Sequence, residues 1–467
     1  MINEPMVRQT TDNGQTIAAI ATPAGSGGIG IIKISGQDAI KIAMSVVSGP
    51  WQRTTDNNRR LCHGHVVHPE TGQVLDEVLA AVMRAPHSYT GEDVAEIQAH
   101  AGQVVLRLIL DMVLCRGARL AEPGEFTKRA YLNGRIDLTQ AEAVIDIIHA
   151  KTEKSLAIAA AQVRGGMRER IESVRERLLY VLTRTEAAID FPEEVGDTVN
   201  TGELIRILEH EVIRESEKLL TRYKDASFLR EGLKVLIVGK PNVGKSSLMN
   251  GLLEKDRAIV TPVPGTTRDS IEEMLNIRGI PVVITDTAGL HSTDDPVELL
   301  GIKKTCEHIG NADIILLITD MSQPLTDDDH SIYGKISHKE IILVANKSDL
   351  TDDSAEPALP DGWDIPVVKT SAIYGNGLDM LRDRITGSYV DEDNEAHTIV
   401  PNLRHKLWLE RGVRAASSAA DGIGDGMPFE LVSIDLRESV DAMGQIIGIT
   451  VREDVLDEIF SRFCIGK

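Results

Sequence analysis

Residues 239–246 read GKPNVGKS and lie between an apolar run, residues 234–238 (KVLIV), and a segment of helical pattern, residues 247–255 (SLMNGLLEK). A strand, a glycine-containing loop that ends in Lys-Ser, and a helix together form a phosphate-binding P-loop. In such a loop, successive backbone N–H groups converge on phosphate oxygens. Lys245 would reach the β- and γ-phosphates, and the Ser246 hydroxyl would bind Mg²⁺. The stretch therefore predicts a nucleotide-binding domain of the α/β class.

Short apolar runs continue on the C-terminal side of this loop. Together with the run before the loop they read LKVLIV, PVVIT, DIILLIT, EIILVA and PVVKTS, and helical patterns alternate with them between residues 231 and 388. Such alternation is typical of a parallel sheet that is covered by helices on both faces. We therefore predict a Ras-like P-loop domain in this part of the chain.

Two motifs at predicted strand ends indicate which nucleotide binds. DTAG (residues 286–289) follows PVVIT, so that the Asp286 carboxylate can hold Mg²⁺ and the last N–H of the motif can face the γ-phosphate. NKSD (residues 346–349) follows EIILVA, and Asp349 can accept hydrogen bonds from both N1–H and the exocyclic amine of guanine. Adenine presents an acceptor at N1 and would leave this carboxylate unpaired. With TSA (residues 370–372) as a further base-contacting loop, the motifs predict GTP rather than ATP.

The glutamine that orients the attacking water in Ras-like GTPases is replaced here by Leu290, directly after DTAG. Two features can substitute for it: Asn242 in the P-loop and the segment TPVPGTTRDS (residues 261–270), whose Thr267 can complete the Mg²⁺ shell. A monovalent cation between Asn242 and carbonyl groups of that segment would neutralise charge on the β–γ bridge, the task of an arginine finger elsewhere. The alternative is that Asn242 is a solvent-facing loop residue.

The rest of the chain divides into segments of different character. We predict an α+β domain over residues 1–135, a first helical part over 136–230, the GTPase domain over 231–388 and a second helical part over 389–467. The simplest arrangement joins the two helical parts into one discontinuous all-α domain, interrupted by the GTPase domain. Apolar residues recur near helical spacing in the first helical part, at Leu204, Leu208, Val212 and Leu219.

Composition restricts the environment and the partners. The 50 Lys and Arg against 71 Asp and Glu give a net charge of −21, so a nucleic acid would have to meet a local basic patch or be held through a partner. No apolar run approaches the ~20 residues that span a bilayer, and the first residues resemble neither a secretory signal nor a transit peptide. The scattered cysteines suggest no disulfide framework, and a reducing cytoplasm fits best. They are Cys62, Cys115, Cys306 and Cys464.

Further motifs extend over nearly the whole chain. They read IAAIATPAGSGGIGIIKISG (residues 17–36), YTGEDVAEIQAHAG (89–102), EPGEFTKRAYLNGRIDLTQAEAV (122–144), PGTTRD (264–269), DTAGL (286–290) and FCIGK (463–467). Together with the P-loop they resemble the MnmE (TrmE) family of tRNA modification GTPases. The resemblance implies a bacterial cytoplasmic enzyme that forms a homodimer and whose GTPase domains pair through a potassium ion.

The resemblance also implies roles for residues of the GTPase domain. Potassium-binding positions of the family match Asn242, Thr261, Val263 and Thr266, and Mg²⁺ would be held by Ser246 and Thr267. The acidic residue that orients the attacking water matches Glu298. The predicted GTP contacts are Asn242, Val243, Gly244, Lys245, Ser246, Ser247, Thr261, Val263, Gly265, Thr266, Thr267, Asp286, Thr287, Ala288, Gly289, Asn346, Lys347, Asp349, Ser371 and Ala372.

The N-terminal domain of the family binds a tetrahydrofolate one-carbon donor and dimerises. The matching positions in this chain are Lys33, Glu96, Arg135 and Lys467. Lys33 and Arg135 stand where some relatives carry Arg and Lys, which keeps the charge but removes bidentate recognition at position 33. Ser26 replaces an arginine of the family motif.

Members of the family act with the flavoprotein MnmG, in a complex that the resemblance implies to be a heterotetramer, and FAD enters only through that partner. Together they install an aminomethyl or carboxymethylaminomethyl group on C5 of the wobble uridine of certain tRNAs. The family's C-terminal cysteine, Cys464 here, has been assigned a part in that chemistry. The alternative use of this cysteine is packing as a small apolar residue.

Three other interpretations compete with this one. A switch or ribosome-assembly GTPase would use GTP only to change partners, and would leave the N-terminal domain unexplained. A prenylated tail is disfavoured because Gly466 and Lys467 end the chain's FCIGK and acidic sequence precedes it. Zinc binding by CHGHVVH, residues 62–68, is disfavoured because no second pair of ligands is apparent, although His63 and His65 would share one face of a strand.

Overall fold

The computed structural model describes residues 14–23, 25, 27–49, 60–192, 199–256, 272–286, 308–352, 356–357, 359–387, 389 and 399–467. The chain forms two compact units. The first unit comprises Met1–Ile145, Arg168–Leu208 and Arg414–Lys467, and the second comprises Asp146–Met167 and Glu209–Val413. The four predicted domain boundaries are a different division of the chain and stay a prediction.

The first unit contains a seven-stranded sheet in the order β3-β4-β5-β6-β2-β1-β7, antiparallel except for the pair β1–β7. The strands are β1 (Ile17–Ile20), β2 (Gly30–Ser35), β3 (Val47–Ser48), β4 (Cys62–Val67), β5 (Val74–Met83), β6 (Val94–Ala99) and β7 (Arg119–Leu120). The helices of this stretch are α1 (Ala39–Val46), α2 (Gln103–Cys115), α3 (Glu125–Leu132) and α4 (Leu138–His149). This is the predicted α+β arrangement.

Alternation along the strands decides which side chains face the core of this sheet. Ile32 and Ile34 of β2 pack in one buried cluster with residues of α1 and α2, and so does Ile97 of β6. Because successive strand residues point to opposite faces, Lys33 and Glu96 lie on the other face. These two residues are paired directly across β2 and β6.

Four helices follow in sequence: α5 (Glu153–Val163), α6 (Gly166–Asp190), α7 (Thr201–Ile207) and α8 (Arg214–Glu231). A π-helical turn, Leu208–Ile213, joins α7 to α8. The predicted apolar stripe is buried, which confirms it as core: Leu204, Leu208, Val212 and Leu219 are all less than 4% exposed.

The second unit contains a six-stranded sheet in the order β13-β12-β11-β8-β10-β9. Its strands are β8 (Leu233–Gly239), β9 (Glu272–Ile277), β10 (Ile280–Asp286), β11 (Ile314–Asp320), β12 (Glu340–Asn346) and β13 (Val367–Lys369). The described helices that follow β8 in this part of the chain are α9 (Lys245–Asp256), α10 (Asp327–Ile336) and α11 (Leu378–Thr386). The five predicted strands are present and parallel. Among the strands described in this sheet, the sequence pattern missed β9, which pairs antiparallel with β10.

Helices cover both faces of this sheet. Val235 and Ile237 of β8 pack in a cluster with apolar residues of α9 and α11, whereas Leu236 and Val238 pack in a second cluster with residues of α10. Strands that are buried on both faces explain why the runs are apolar throughout instead of alternating. The P-loop fold class predicted from the sequence is thereby confirmed.

The last helices are α12 (Leu403–Gly424), α13 (Phe429–Ile447) and α14 (Glu453–Ser461). Leu456 and Phe460 of α14, with Phe463 beyond it, form a buried cluster with Tyr131 and Leu138. Among the described residues, no helix combines the length and the apolarity that crossing a bilayer requires.

Candidate functional sites

The P-loop connects the end of β8 to the start of α9. Its backbone turns through left-handed conformations at Asn242, with φ of 64°, and at Gly244, with φ of 100°. A Cβ atom at position 244 would collide with the Asn346 amide, so glycine is required there. The Lys245 ammonium lies within the loop and donates to the carbonyl oxygens of Gly239 at 2.9 Å and Lys240 at 2.8 Å.

Asn346 holds the P-loop and the base-contacting loop in one arrangement. It ends β12, is 2% exposed, and its amide nitrogen donates to the Val243 carbonyl at 2.8 Å. Its amide oxygen accepts from Ala372 N–H at 3.0 Å and from the Thr370 hydroxyl at 3.2 Å. One buried side chain thus fixes two loops that are distant in sequence, since a buried amide left unpaired is costly.

Asp349 lies just beyond, on an exposed 3₁₀ turn, Ser348–Leu350. One of its carboxylate oxygens accepts from the Ser371 hydroxyl at 2.5 Å, and the turn itself is tied to the next loop by Ser348 N–H donating to Thr370 O at 3.0 Å. The serine orients the carboxylate at the mouth of the loops. A carboxylate held in this way can accept the two donors of a guanine edge.

Lys347, between Asn346 and Asp349, adopts φ of 63° and pairs with Asp320 at the end of β11, with Nζ and Oδ2 2.7 Å apart. Burial alone would raise the pKa of Asp320, but hydrogen bonds from Lys347 and Ser322 outweigh it and hold the pKa below its usual value. Sequence reasoning did not select Asp320. Its signal was an aspartate directly after the apolar run DIILLIT, at the same sheet edge as NKSD.

The hydrogen bonds of Asn346 and Asp349 bring together the predicted GTP contacts Val243, Ala372 and Ser371. Val243 is buried, Ser246 and Ser247 begin α9 with exposed side chains, and Asp286 ends β10 beside Ile237 of β8. The other predicted positions lie outside the described residues: Thr261, Val263, Gly265, Thr266, Thr267, Thr287, Ala288, Gly289 and Glu298, together with Ser26 of the N-terminal motif.

A second group of charged side chains surrounds Tyr89 in the first unit. Lys33 Nζ lies 5.4 Å from the centre of the Tyr89 ring and 5.5 Å from that of Phe126. The Arg135 guanidinium lies 5.2 Å from the Tyr89 ring and donates to the Tyr89 carbonyl oxygen at 2.5 Å. The predicted positions Lys33 and Arg135 therefore meet at an aromatic residue that sequence reasoning missed.

The remaining predicted positions, Glu96 and Lys467, are close enough to affect the pKa of Lys33. Burial lowers the pKa of Lys33, Glu96 opposes that shift, and the positive charge of Lys467 adds to it. Burial raises the pKa of Tyr89, although its hydrogen bond with Thr127 and the nearby Arg135 act in the other direction. We call Lys33, Tyr89, Glu96, Arg135 and Lys467 the Tyr89 cluster.

The FCIGK segment runs along the first unit after α14. Ile465 forms an isolated antiparallel bridge with Pro123, and Gly466, with φ of 92°, passes so close to β1 that a Cβ would lie 2.6 Å from Ile20 O. The Cys464 carbonyl faces Gly124 N–H at 3.4 Å, while the cysteine itself is exposed. Exposure argues against the packing alternative for this thiol.

Two family descriptions match the chain. Residues 16–135 match the GTP-binding protein TrmE N-terminus, and residues 138–464 match the MnmE helical domain.

Curated proteins named tRNA modification GTPase MnmE align with the chain over almost all of its length. The protein of Carboxydothermus hydrogenoformans is 45% identical over 459 residues, 97% of this chain and 99% of that protein. The proteins of Geotalea uraniireducens and Geobacillus kaustophilus are each 44% identical, over 97% of this chain and 99% of their own length. On these matches, the chain belongs to the MnmE family of tRNA modification GTPases.

Proposed function

We propose that this chain hydrolyses GTP and that it does so as part of the modification of tRNA in the cytoplasm of a bacterium. The observation that supports the first half is the Asn346 amide, which joins the P-loop to the loop of Ser371 and Ala372, where the Ser371 hydroxyl bonds to the Asp349 carboxylate. The second half is supported by the full-length relatives, which are named tRNA modification GTPase MnmE.

The test measures two activities of the purified full-length protein. We expect GTP to be hydrolysed and ATP not, because only guanine satisfies the Asp349 carboxylate. We also expect wobble-uridine modification to disappear from tRNA of cells that lack the gene and to return with it. Unchanged nucleosides in such cells, together with GTP hydrolysis by the purified protein, would favour the alternative of a regulatory or ribosome-assembly switch.

We further propose that hydrolysis depends on potassium and on dimerisation of the GTPase domains. Asn242 is exposed in the P-loop with a left-handed backbone, which leaves its side chain accessible to an ion and equally fits the alternative of a solvent-facing residue. A cation there would neutralise negative charge that develops between the β- and γ-phosphates. Thr261, Val263 and Thr266 would complete its shell, with Mg²⁺ on Ser246 and Thr267.

The potassium dependence is tested by comparing GTP turnover in potassium with GTP turnover in sodium. We expect much faster hydrolysis in potassium, and Asn242→Ala to remove most of that difference. Equal rates in the two salts would remove the ion from the mechanism.

Glu298 is proposed to orient the attacking water. Glu298→Ala should lower turnover by about 10²-fold or more, the range typical of a positioned acid–base group, with GTP affinity near normal. Turnover at the parent rate would refute the assignment.

The Tyr89 cluster is proposed to bind a tetrahydrofolate derivative, which when bound would supply the one-carbon unit. Its residues fit such a ligand: Glu96 is an acceptor for ring N–H donors, Tyr89 is a wall for a flat ring, and Arg135 and Lys467 are cations for carboxylates. Glu96→Gln should weaken binding of a tetrahydrofolate derivative, measured by calorimetry, and leave GTP affinity unchanged. Equal folate affinity would exclude Glu96 from the site.

Cys464 and a flavoprotein partner of the MnmG type complete the proposal. The thiol is exposed near the start of the FCIGK segment, whose Gly466 passes close to β1, in the same unit as the Tyr89 cluster. In a reconstitution with that flavoprotein, tRNA, GTP and folate, Cys464→Ser should abolish modification of uridine C5 and leave GTP hydrolysis intact. If modification persisted, the cysteine would have no chemical role.

A further inference from the structure

Three potential metal ligands meet on one face of the β4–β5 hairpin. His63 and His65 are two residues apart on β4, so both side chains point to the same side of the sheet. In the antiparallel register His65 is opposite Glu77 of β5, and His63 is opposite Leu79. Glu77 therefore shares the face of the two histidines and is diagonal to His63.

The donor atoms of these side chains are already close together. One ligand atom from each of His63, His65 and Glu77 lies within 4.8 Å of the others, and His63 Nε2 is 2.5 Å from Glu77 Oε1. Zinc bound tetrahedrally at about 2.0–2.1 Å requires ligand atoms about 3.4 Å apart. The side chains of Glu77 and His63 are both at the surface, so small rotations would bring their ligand atoms to this spacing.

The neighbouring side chains do not compete for the same ion. Cys62 packs against the apolar core on the other face of β4. His68 lies past the end of β4, where its Nδ1 accepts from the backbone N–H groups of Glu70 and Thr71 at 3.3 and 3.4 Å. The candidate set is thus two imidazoles and one carboxylate, donors that suit zinc and similar divalent ions.

A cavity of about 310 Å³ adjoins the set and includes His63 and Glu77 in its wall, together with Gln98 and His100. His100 is held by Asp76, with Nδ1 and Oδ1 2.6 Å apart. The remaining described wall is apolar or backbone, at Gly28, Ile29, Val78, Leu79 and Ala99. Three protein ligands beside an open cavity leave one coordination position for water or another small ligand.

We propose that His63, His65 and Glu77 bind one divalent transition-metal ion, of which zinc is the representative, with its open position toward this cavity. The ion links adjacent strands of the first unit and is separate from the magnesium and potassium of the GTPase domain. Binding of this ion does not depend on the proposed folate or tRNA chemistry. The competing interpretation is a hydrogen-bonded His63–Glu77 pair on the surface.

The test titrates the full-length protein, stripped with a chelator and free of nucleotide, with Zn²⁺ against a chromophoric competitor. We expect one tight site per chain in the parent and in His68→Ala, the matched control. His63→Ala and His65→Ala should lose at least about tenfold in affinity, since removing even an outer-shell partner costs 10–100-fold. Zn²⁺ should also raise the Tm of the parent but not of these variants.

Co²⁺ reports the ligand type. We expect visible bands of a nitrogen and oxygen site without thiolate charge transfer, and a thiolate band would assign the ion to a cysteine and overturn the proposal. Equal zinc affinity of His63→Ala, His65→Ala and His68→Ala, or no uptake by the parent, would also overturn it. Glu77→Gln, which keeps the side-chain shape, provides a second variant if a histidine replacement fails to fold, and circular dichroism with GTP hydrolysis rates verifies folding.

Discussion

Asn346 links two loops of the nucleotide site through its side-chain amide. Asn346→Ala removes the hydrogen bonds to Val243 O, Thr370 and Ala372 N–H and leaves the backbone groups without this partner. At about 1–3 kcal/mol for each buried polar group left unsatisfied, we expect GTP affinity to fall at least tenfold. Calorimetry with GTP measures this, and Lys335→Ala, an exposed position on α10, is the control. Unchanged affinity would mean that the loops are held by other contacts.

In the first unit, Glu125 is a buried side chain that links two arginines. Its carboxylate is 6% exposed and accepts a bidentate pair from Arg119 at 2.6 and 2.7 Å, and a further bond from Arg129 at 2.9 Å. Burial alone would raise the pKa of Glu125, but the hydrogen bonds from Arg119, Glu122 N–H and Arg129 outweigh it and lower the pKa. The charged form is thus favoured by the folded state.

Stability should therefore depend on pH through this residue. Because the pKa in the folded state is below that of the unfolded chain, about 4.3, the contribution is complete above that value and is lost as the pH falls through the folded-state pKa. Glu125→Gln should destabilise α3 at pH 7, since removing one partner of a buried ion pair costs about 3–5 kcal/mol, and the difference from the parent should shrink in acid. Hydrogen exchange of the α3 amides measures both effects. A difference that stays constant from pH 7 to acid, or one shared by the exposed control Glu122→Gln, would contradict this assignment.

At the scale of the element, the FCIGK segment depends on Gly466. Gly466→Ala would add a Cβ 2.6 Å from Ile20 O and 2.9 Å from Ala21 Cα, at a backbone φ of 92°. We expect the segment to leave β1, so that Lys467 no longer contributes to the Tyr89 cluster. Folate binding and tRNA modification should then fall, while GTP hydrolysis is kept.

A matched control exists for this change. Gly426 also has a positive φ, 70°, and a Cβ added there would have no neighbouring atom within 4 Å, so Gly426→Ala carries a backbone penalty of the same kind without the collision. If both variants reduce folate binding equally, the effect is general strain and not the position of the segment.

At the scale of the whole molecule, the helices α5 and α8 depend on the GTPase sheet. Ile158, Leu229 and Val400 belong to the same buried cluster as β8 and β10, although they lie outside residues 231–388. We therefore expect that replacing 231–388 by a short linker leaves the sheet of the first unit protected from hydrogen exchange. Protection in α5 and α8 should be lost. Continued protection there would favour an independently stable discontinuous helical domain.

The sequence was sufficient for the strands of the P-loop domain because they are buried on both faces and bounded by recognisable loops. It was insufficient where the pairing register of two strands determines which side chains come close together. Asp320 meets Lys347 because β11 and β12 pair so that Asp320 is opposite Asn346. Glu77 joins His63 and His65 because of one particular register of β4 and β5, which a list of residues does not specify. Tyr89 was missed because an aromatic residue in a loop carries no periodic signal.

The cluster that joins Tyr131 and Leu138 to Leu456 and Phe460 has a consequence for biosynthesis. Its two halves are separated by roughly 300 residues in the sequence. At ~5–20 residues per second, the ribosome needs on the order of tens of seconds to synthesise the residues between them. During that time the second unit can complete its sheet, while Tyr131 and Leu138 lack their partners from α14. A chaperone that recognises apolar segments would therefore find its binding site in α3 and α4 of the nascent chain, and release would coincide with the synthesis of α14.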